Sequence, residues 1–174
     1  MKRHVALVGF MGAGKSTIGR KLARELGCAF FDTDDLIVSA HGTIAEIFSS
    51  EGEVAFRRYE REAIGHVLNA GDAGVVALGG GALTIAENRA FVKERSHRIF
   101  LRSSPRQILR RLRRSRERRP LLGTRPTLAQ IQELYDARLA HYAEADYIVQ
   151  AERLSDRAIL DDILQWLSEK KIAL

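Results

Sequence analysis

The chain predicts an α/β fold, an open parallel sheet with helices on both faces, and three observations carry that reading. Short apolar runs alternate with longer amphipathic stretches along the sequence, the pattern of parallel strands joined by crossover helices. The first strand-to-helix junction, Gly9-Phe10-Met11-Gly12-Ala13-Gly14-Lys15-Ser16, fits G-x-x-x-x-G-K-[ST], a loop whose backbone N–H groups cradle a polyphosphate at a helix N-terminus. At 174 residues, with 45% apolar and 29% charged side chains, the chain suits a single domain with its own core.

The elements follow in order. His4-Val5-Ala6-Leu7-Val8 is an apolar run with β-branched members and reads as a buried strand. After the loop, Ile18, Leu22 and Leu26 recur at helical spacing and Gly27 stands where a C-cap belongs, which sets a helix over 15–26. Further strands are expected at 29–31, 75–78, 98–101 and 147–149. Further helices are expected at 43–50, 53–70, 85–94, 105–114, 127–144 and 155–170. Ser104-Pro105 is an N-cap followed by Pro at the first helical position, and Thr127 with Gln130 has capping-box spacing. Between them, Arg-Pro-Leu-Leu-Gly-Thr-Arg-Pro at 119–126 reads as a mobile loop. Leu160, Ile163, Leu164, Trp166 and Leu167 form the packing face of the last helix.

Charge and cysteine content narrow the class. The net charge is +6, and residues 110–119 alone carry seven arginines and one glutamate. The rest of the chain is therefore electrically balanced, unlike a nucleic-acid binder with basic residues spread over a face. A concentrated run beside a phosphate loop suits a flap that closes over a nucleotide. The single cysteine, Cys28, excludes an internal disulfide and suits a reducing, cytoplasmic setting as a small buried hydrophobe. The apolar stretch after Lys2 and Arg3 runs straight into the phosphate loop and reads as a core strand, not a signal peptide. No run approaches the ~18 apolar residues of a membrane span. The five histidines, His4, His41, His66, His97 and His141, have no metal-ligand spacing.

In an open parallel sheet, ligands bind beyond the C-terminal ends of the strands. The second strand is followed by Asp32-Thr33-Asp34-Asp35 and the third by Gly79-Gly80-Gly81; the fourth leads to Arg102-Ser103-Ser104, with no carboxylate. With no Asn-Lys-x-Asp segment for guanine, the acidic pair must serve both a metal and a phosphoryl acceptor. Alternate residues of an extended segment share a side, so Asp32 and Asp34 face the site together, and Asp34 is the candidate base. The competing reading is helix capping by Asp34 or Asp35. The glycines allow close backbone approach to a ligand, or make a plain turn. Arg57 and Glu60 lie at i and i+3, the spacing of a solvated surface pair, and Arg138 alone reads as a surface arginine.

Together these residues resemble the shikimate kinase family. The family's Asp-x-Asp appears as Asp32-Thr33-Asp34, its Phe-Arg-x-x-Glu as Phe56-Arg57-Arg58-Tyr59-Glu60, its triglycine at 79–81, and its Arg-Pro-Leu-Leu as Arg119-Pro120-Leu121-Leu122. Arg138, followed by Tyr142 and Ala145-Asp146, matches its last substrate-binding arginine. The resemblance implies a nucleoside-monophosphate-kinase-like P-loop fold with a five-stranded parallel sheet, a substrate-binding segment near 33–60 and a lid near 110–125. It implies transfer of the ATP γ-phosphoryl group to the 3-hydroxyl of shikimate, with Mg²⁺, by a cytoplasmic monomer that needs neither nucleic acid nor membrane. It further implies that Gly12, Ala13, Gly14, Lys15, Ser16 and Thr17 hold the nucleotide and that Lys15, Asp34 and Arg119 act in catalysis. Asp34, Arg57, Glu60, Gly79, Gly80, Gly81 and Arg138 bind shikimate, and Ser16 and Asp32 serve the metal. Arg111 and Arg113 compete for the adenine-stacking role, with Arg153 after the last strand a further contact. Two other readings stay open: a gluconate kinase-like sugar-acid kinase, and a P-loop protein using 110–119 as a basic arm on nucleic acid.

Overall fold

The computed structural model describes residues 3–114, 120–123, 125–152 and 154–174. Its elements run β1 (His4–Val8), α1 (Lys15–Leu26), β2 (Phe30–Asp32), α2 (Thr33–His41), α3 (Ile44–Ser50), α4 (Gly52–Leu68), β3 (Val75–Ala77), α5 (Ala86–Arg95), β4 (Ser96–Arg102), α6 (Pro105–Leu112), α7 (Leu128–Ala143), β5 (Tyr147–Gln150) and α8 (Asp156–Glu169). The five strands form one parallel sheet in the order β2-β3-β1-β4-β5.

The apolar character of β1 follows from its place at the centre. Its side chains alternate between two covered faces, so every residue is buried. Val5 and Leu7 join Val75, Ile99 and Val149 beneath α1 and α8. Ala6 and Val8 join Val76 and Phe100 beneath α4, α5, α6 and α7. A smaller cluster of Ile37, Ile47 and Phe56 holds α2, α3 and α4 to one another. The chain leaves β1 toward β2 at one edge, whereas it leaves β3 for β4 on the far side of β1. Between β1 and β3, loops therefore diverge and open a crevice at their C-terminal ends.

One helix goes beyond what the sequence reading anticipated. Residues 33–41 form α2, capped by Asp32, whose Oδ1 accepts the Asp34 N–H at 3.0 Å. The capping residue is thus neither Asp34 nor Asp35; those two sit in the first turn, where carboxylates favour the helix dipole. β2 takes in Asp32 and ends there. Asp34 consequently reaches the crevice from a helix, and the strand-alternation argument for its direction does not apply. β4 is also longer than expected, running from Ser96 to Arg102.

His4 opens β1 at 2% exposure, and its Nδ1 accepts the Gly74 N–H at 3.1 Å. Burial lowers its pKa from the ordinary histidine value, against a smaller opposing contribution from the Gly74 backbone. With the folded-state pKa depressed, the unfolded chain binds the proton more readily, so His4 costs stability as pH falls below about 6.5. Thermal melting between pH 7.5 and 5.5 should show Tm falling by a few degrees more for the native chain than for His4→Asn, whose side-chain oxygen can accept the same bond. Equal falls would remove His4 from the acid sensitivity.

Candidate active site

The phosphate loop links β1 to α1. Gly14, at φ 99°, is the N-cap of α1; it offers no side-chain cap, and the first turn carries no acid. The helix's first N–H groups and the positive end of its dipole are thus left for an anion. Lys15 Nζ donates to the carbonyls of Gly9 at 2.8 Å and Phe10 at 2.9 Å, which holds the ammonium over the loop. A cavity of about 360 Å³ opens here, lined by 11–18 with Asp32, Asp34, Gly80, Arg111, Asp156 and Ile159. Arg111 Nη1 donates to the loop carbonyls of Gly12 at 3.2 Å and Ala13 at 2.8 Å. Burial lowers its pKa, opposed by nearby Asp156. Arg113, at the end of α6, is exposed and stands outside this lining. Arg119 and Arg153 lie outside the described residues.

A second, smaller cavity of about 60 Å³ lies beside the first. Its apolar wall is Met11, Ile44, Phe48, Phe56, Pro120 and Leu121; its polar wall is Asp34, Arg57, Glu60 and Arg138, with Gly79, Gly80 and Gly81 between. Arg57 and Glu60 are not a solvated helix pair. Glu60 is 1% exposed, and its Oε2 accepts from Arg57 Nη1 at 2.9 Å. Arg57 also donates from Nε and Nη2 to Glu53 Oε1, at 3.2 and 2.9 Å. Burial opposes the Arg57 cation, but the Glu60 and Glu53 carboxylates outweigh it and raise its pKa. Burial likewise raises the Glu60 pKa despite Arg57, and the nearby Asp34 charge adds to the rise. Arg138 is no surface arginine either, at 4% exposure; its Nη1 donates to the Gly80 carbonyl at 3.2 Å.

The triglycine explains why these groups converge. None of Gly79, Gly80 and Gly81 has a positive φ, so the backbone would accept alanine there; what is missing is space. A Cβ on Gly79 would stand 2.8 Å from both Asp34 Oδ1 and Glu60 Oε1, and one on Gly80 would stand 2.9 Å from Met11 N. On Gly81 it would strike the Arg57 guanidinium. The sequence allows these glycines close approach to a ligand or a plain turn; they line the second cavity, and their closest protein neighbours are the site's own side chains and the phosphate loop.

Several contributors draw no functional role from the sequence. Thr33, fully buried, accepts the Gly79 N–H at 3.0 Å and donates to the Ala77 carbonyl at 3.3 Å, fastening α2 to the end of β3. Glu53 brackets Arg57 from the solvent side. Tyr142 donates to the Gly80 carbonyl beside Arg138. The Arg138–Tyr142 spacing of i, i+4 hints at a shared target, but which backbone atom they meet depends on how α7 packs.

Ser16 and Asp32 both line the first cavity. Among the described residues, no group of three or more His, Cys, Asp or Glu is assembled to hold a metal unaided. One hydroxyl and one carboxylate fit Mg²⁺, which keeps water and phosphate oxygens as most of its ligands.

Comparison with known proteins agrees with this geometry. A family model for shikimate kinase matches residues 11–168. A shikimate kinase of Symbiobacterium thermophilum is 39% identical over 169 residues, covering 96% of this chain and 95% of that one. One from Thiobacillus denitrificans is 44% identical over 151 residues, covering 86% and 81%. The structure of shikimate kinase from Acinetobacter baumannii in complex with shikimate superposes with a TM-score of 0.91 at 36% identity, over 99% of this chain and 96% of that one. A phosphate loop, a buried two-arginine cavity beside it and relatives matched over nearly their whole length lead to one assignment: the chain belongs to the shikimate kinase family.

Proposed function

We propose that this chain transfers the γ-phosphoryl group of ATP to the 3-hydroxyl of shikimate, with Asp34 orienting that hydroxyl and taking its proton. The observation that carries the assignment is the place of Asp34. Among the described residues, Met11, Asp34 and Gly80 line both cavities, and Asp34 is the one titratable side chain of the three. A base for phosphoryl transfer must stand where acceptor and nucleotide meet.

The acceptor cavity suits a small ring bearing a carboxylate and hydroxyls. Its apolar wall takes the ring, and the Arg57 and Arg138 guanidinium groups clamp the carboxylate, the pairing for which a planar fork is suited. Glu53 and Glu60 hold Arg57 in place for that contact. The relative solved with shikimate bound supports the choice of acid over gluconate. Gly12, Ala13, Gly14, Lys15, Ser16 and Thr17 hold the phosphates, and Arg111 borders the nucleoside end.

The hydroxyl oxygen forms a bond to the γ-phosphorus as the bond to the β–γ bridging oxygen breaks, and the hydroxyl proton passes to an Asp34 carboxylate oxygen. Lys15 neutralises charge on the transferring group, a role shared with Arg119. Ser16, with Asp32 through water, would hold Mg²⁺, which would supply charge neutralisation for the phosphates. The enzyme acts as a cytoplasmic monomer. The large exposed apolar side chains among the described residues, Val38, Val54, Leu121, Ile148 and Leu154, belong to five different segments, and the lone Cys28 suits a reducing compartment.

ADP release measured with shikimate, with gluconate and with no acceptor should proceed only with shikimate; turnover of gluconate alone would overturn the assignment. Asp34→Asn should lower kcat by about 10²–10⁴-fold while calorimetry still detects nucleotide binding, and a native kcat would remove Asp34 as the base. Gly81→Ala should displace Arg57 and raise the shikimate KM about tenfold or more with the ATP KM unchanged. An unaltered shikimate KM would separate Arg57 from the acceptor. Arg111→Ala should raise the ATP KM about tenfold and Arg113→Ala should leave it within twofold; the reverse ranking would place Arg113 at the nucleotide.

A further inference from the structure

Tyr142 is among the most deeply buried side chains, at 2% exposure, and nothing in the chemistry above uses it. Its ring packs on Phe100 of β4, with centroids 5.2 Å apart, and β4 pairs with β1 through Phe100 and Val8. The ring is thus fixed to the centre of the sheet, and the hydroxyl it carries has little freedom. That hydroxyl donates to the Gly80 carbonyl oxygen, and Arg138, one turn earlier on α7, donates to the same oxygen from Nη1. A carbonyl oxygen has two lone pairs, and α7 supplies both donors.

Gly80 is where the two halves of the site touch. It lines both cavities, and its Cα lies so close to the phosphate loop that an added Cβ would stand 2.9 Å from Met11 N. A movement of this peptide would shift Arg138 at the acceptor and the boundary with the nucleotide together.

We infer that Tyr142 is a positioning residue for phosphoryl transfer: by fixing the Gly80 carbonyl it sets the place of the Arg138 guanidinium and the alignment of acceptor with phosphate loop. Without the hydroxyl, Arg138 is the remaining donor on α7 to that oxygen, which draws its head toward the backbone and away from an incoming carboxylate. Burial pushes the Tyr142 pKa up to about 12, against the pull of Arg138, so the hydroxyl stays a donor throughout the working pH range.

The inference deepens the assignment of Arg138 to the acceptor carboxylate, and the test separates the two. Tyr142→Phe keeps the ring and its packing and removes only the hydroxyl. Tyr135→Phe is the control, since Tyr135 lies on the same helix at 5% exposure, with its hydroxyl directed to Arg102. Steady-state kinetics should show Tyr142→Phe raising the shikimate KM about tenfold, the scale of one lost buried hydrogen bond. Its ATP KM should stay within twofold, and Tyr135→Phe should match the native chain in both. Arg138→Lys should raise the shikimate KM alone, and adding Tyr142→Phe to it should cause little further loss, because both act through one carbonyl. A native shikimate KM in Tyr142→Phe, or losses that add in the double variant, would overturn the positioning role while leaving Arg138 in place. An Arg138→Lys variant with native shikimate KM would overturn the carboxylate assignment first and the inference with it.

Discussion

At Gly79 there is no room for a side chain, because two carboxylate oxygens, from Asp34 and Glu60, stand within 2.8 Å of where its Cβ would be. The rest of the site follows from this and the two glycines after it. α2 brings Asp34 and α4 brings Glu60 against Gly79, the phosphate loop brings Met11 against Gly80, and α4 brings Arg57 against Gly81. Packing three elements onto one short backbone segment is feasible only where that backbone carries no side chains. The segment in turn is held by hydroxyls: Thr33 on the Gly79 N–H, Tyr142 on the Gly80 carbonyl and Thr84 on the Gly81 carbonyl at 2.7 Å. A template without side chains, tied at three points, fixes where donor and acceptor meet.

The charges gathered there would be costly if left alone. Glu60 is almost fully buried and Arg138 nearly so, and removing an ion of that kind from water costs several kcal/mol unless partners replace the solvent. Glu60 finds Arg57; Arg57 finds Glu53 as well. Arg138 has a carbonyl and, by the Phe10 ring 5.7 Å from its guanidinium carbon, an aromatic face. Arg57 is thus hydrogen-bonded to two carboxylates, whereas Arg138 is bonded to a carbonyl and shares the Glu60 charge with Arg57 as its weaker partner. An acceptor carboxylate completes the balance on the Arg138 side, which suits an anionic acceptor better than a neutral polyol.

Much of this was legible in the sequence because it rests on local rules. The phosphate loop, the buried strand before it, the Ser104 and Thr127 caps and the packing face around Trp166 each depend on residues a few positions apart, and all appear where spacing put them. The missing parts depend on tertiary contact. α2 is only nine residues long and buries Thr33 and Ile37 alone along its length, too little to print a helical period. Thr33 and Tyr142 look like spacer and core residues until the fold brings Gly79 and Gly80 to their hydroxyls. Spacing gave Arg57 and Glu60 the appearance of a surface pair because burial is decided by α2 and the triglycine, not by α4. The choice between Arg111 and Arg113 turns on which side of α6 faces the phosphate loop, a matter of packing.

The concentration of charge in 110–119 gains a physical setting from its two flanks. On the N-terminal side, Arg111 donates to Gly12 and Ala13, so the start of this stretch is bonded to the phosphate loop. On the C-terminal side, Pro120 and Leu121 line the acceptor cavity. The described residues on either side of this charge-dense stretch therefore border different halves of the site. Like charges so close together repel, and the repulsion weakens when a polyanion lies among them. A nucleotide in the larger cavity would supply such a polyanion beside Arg111.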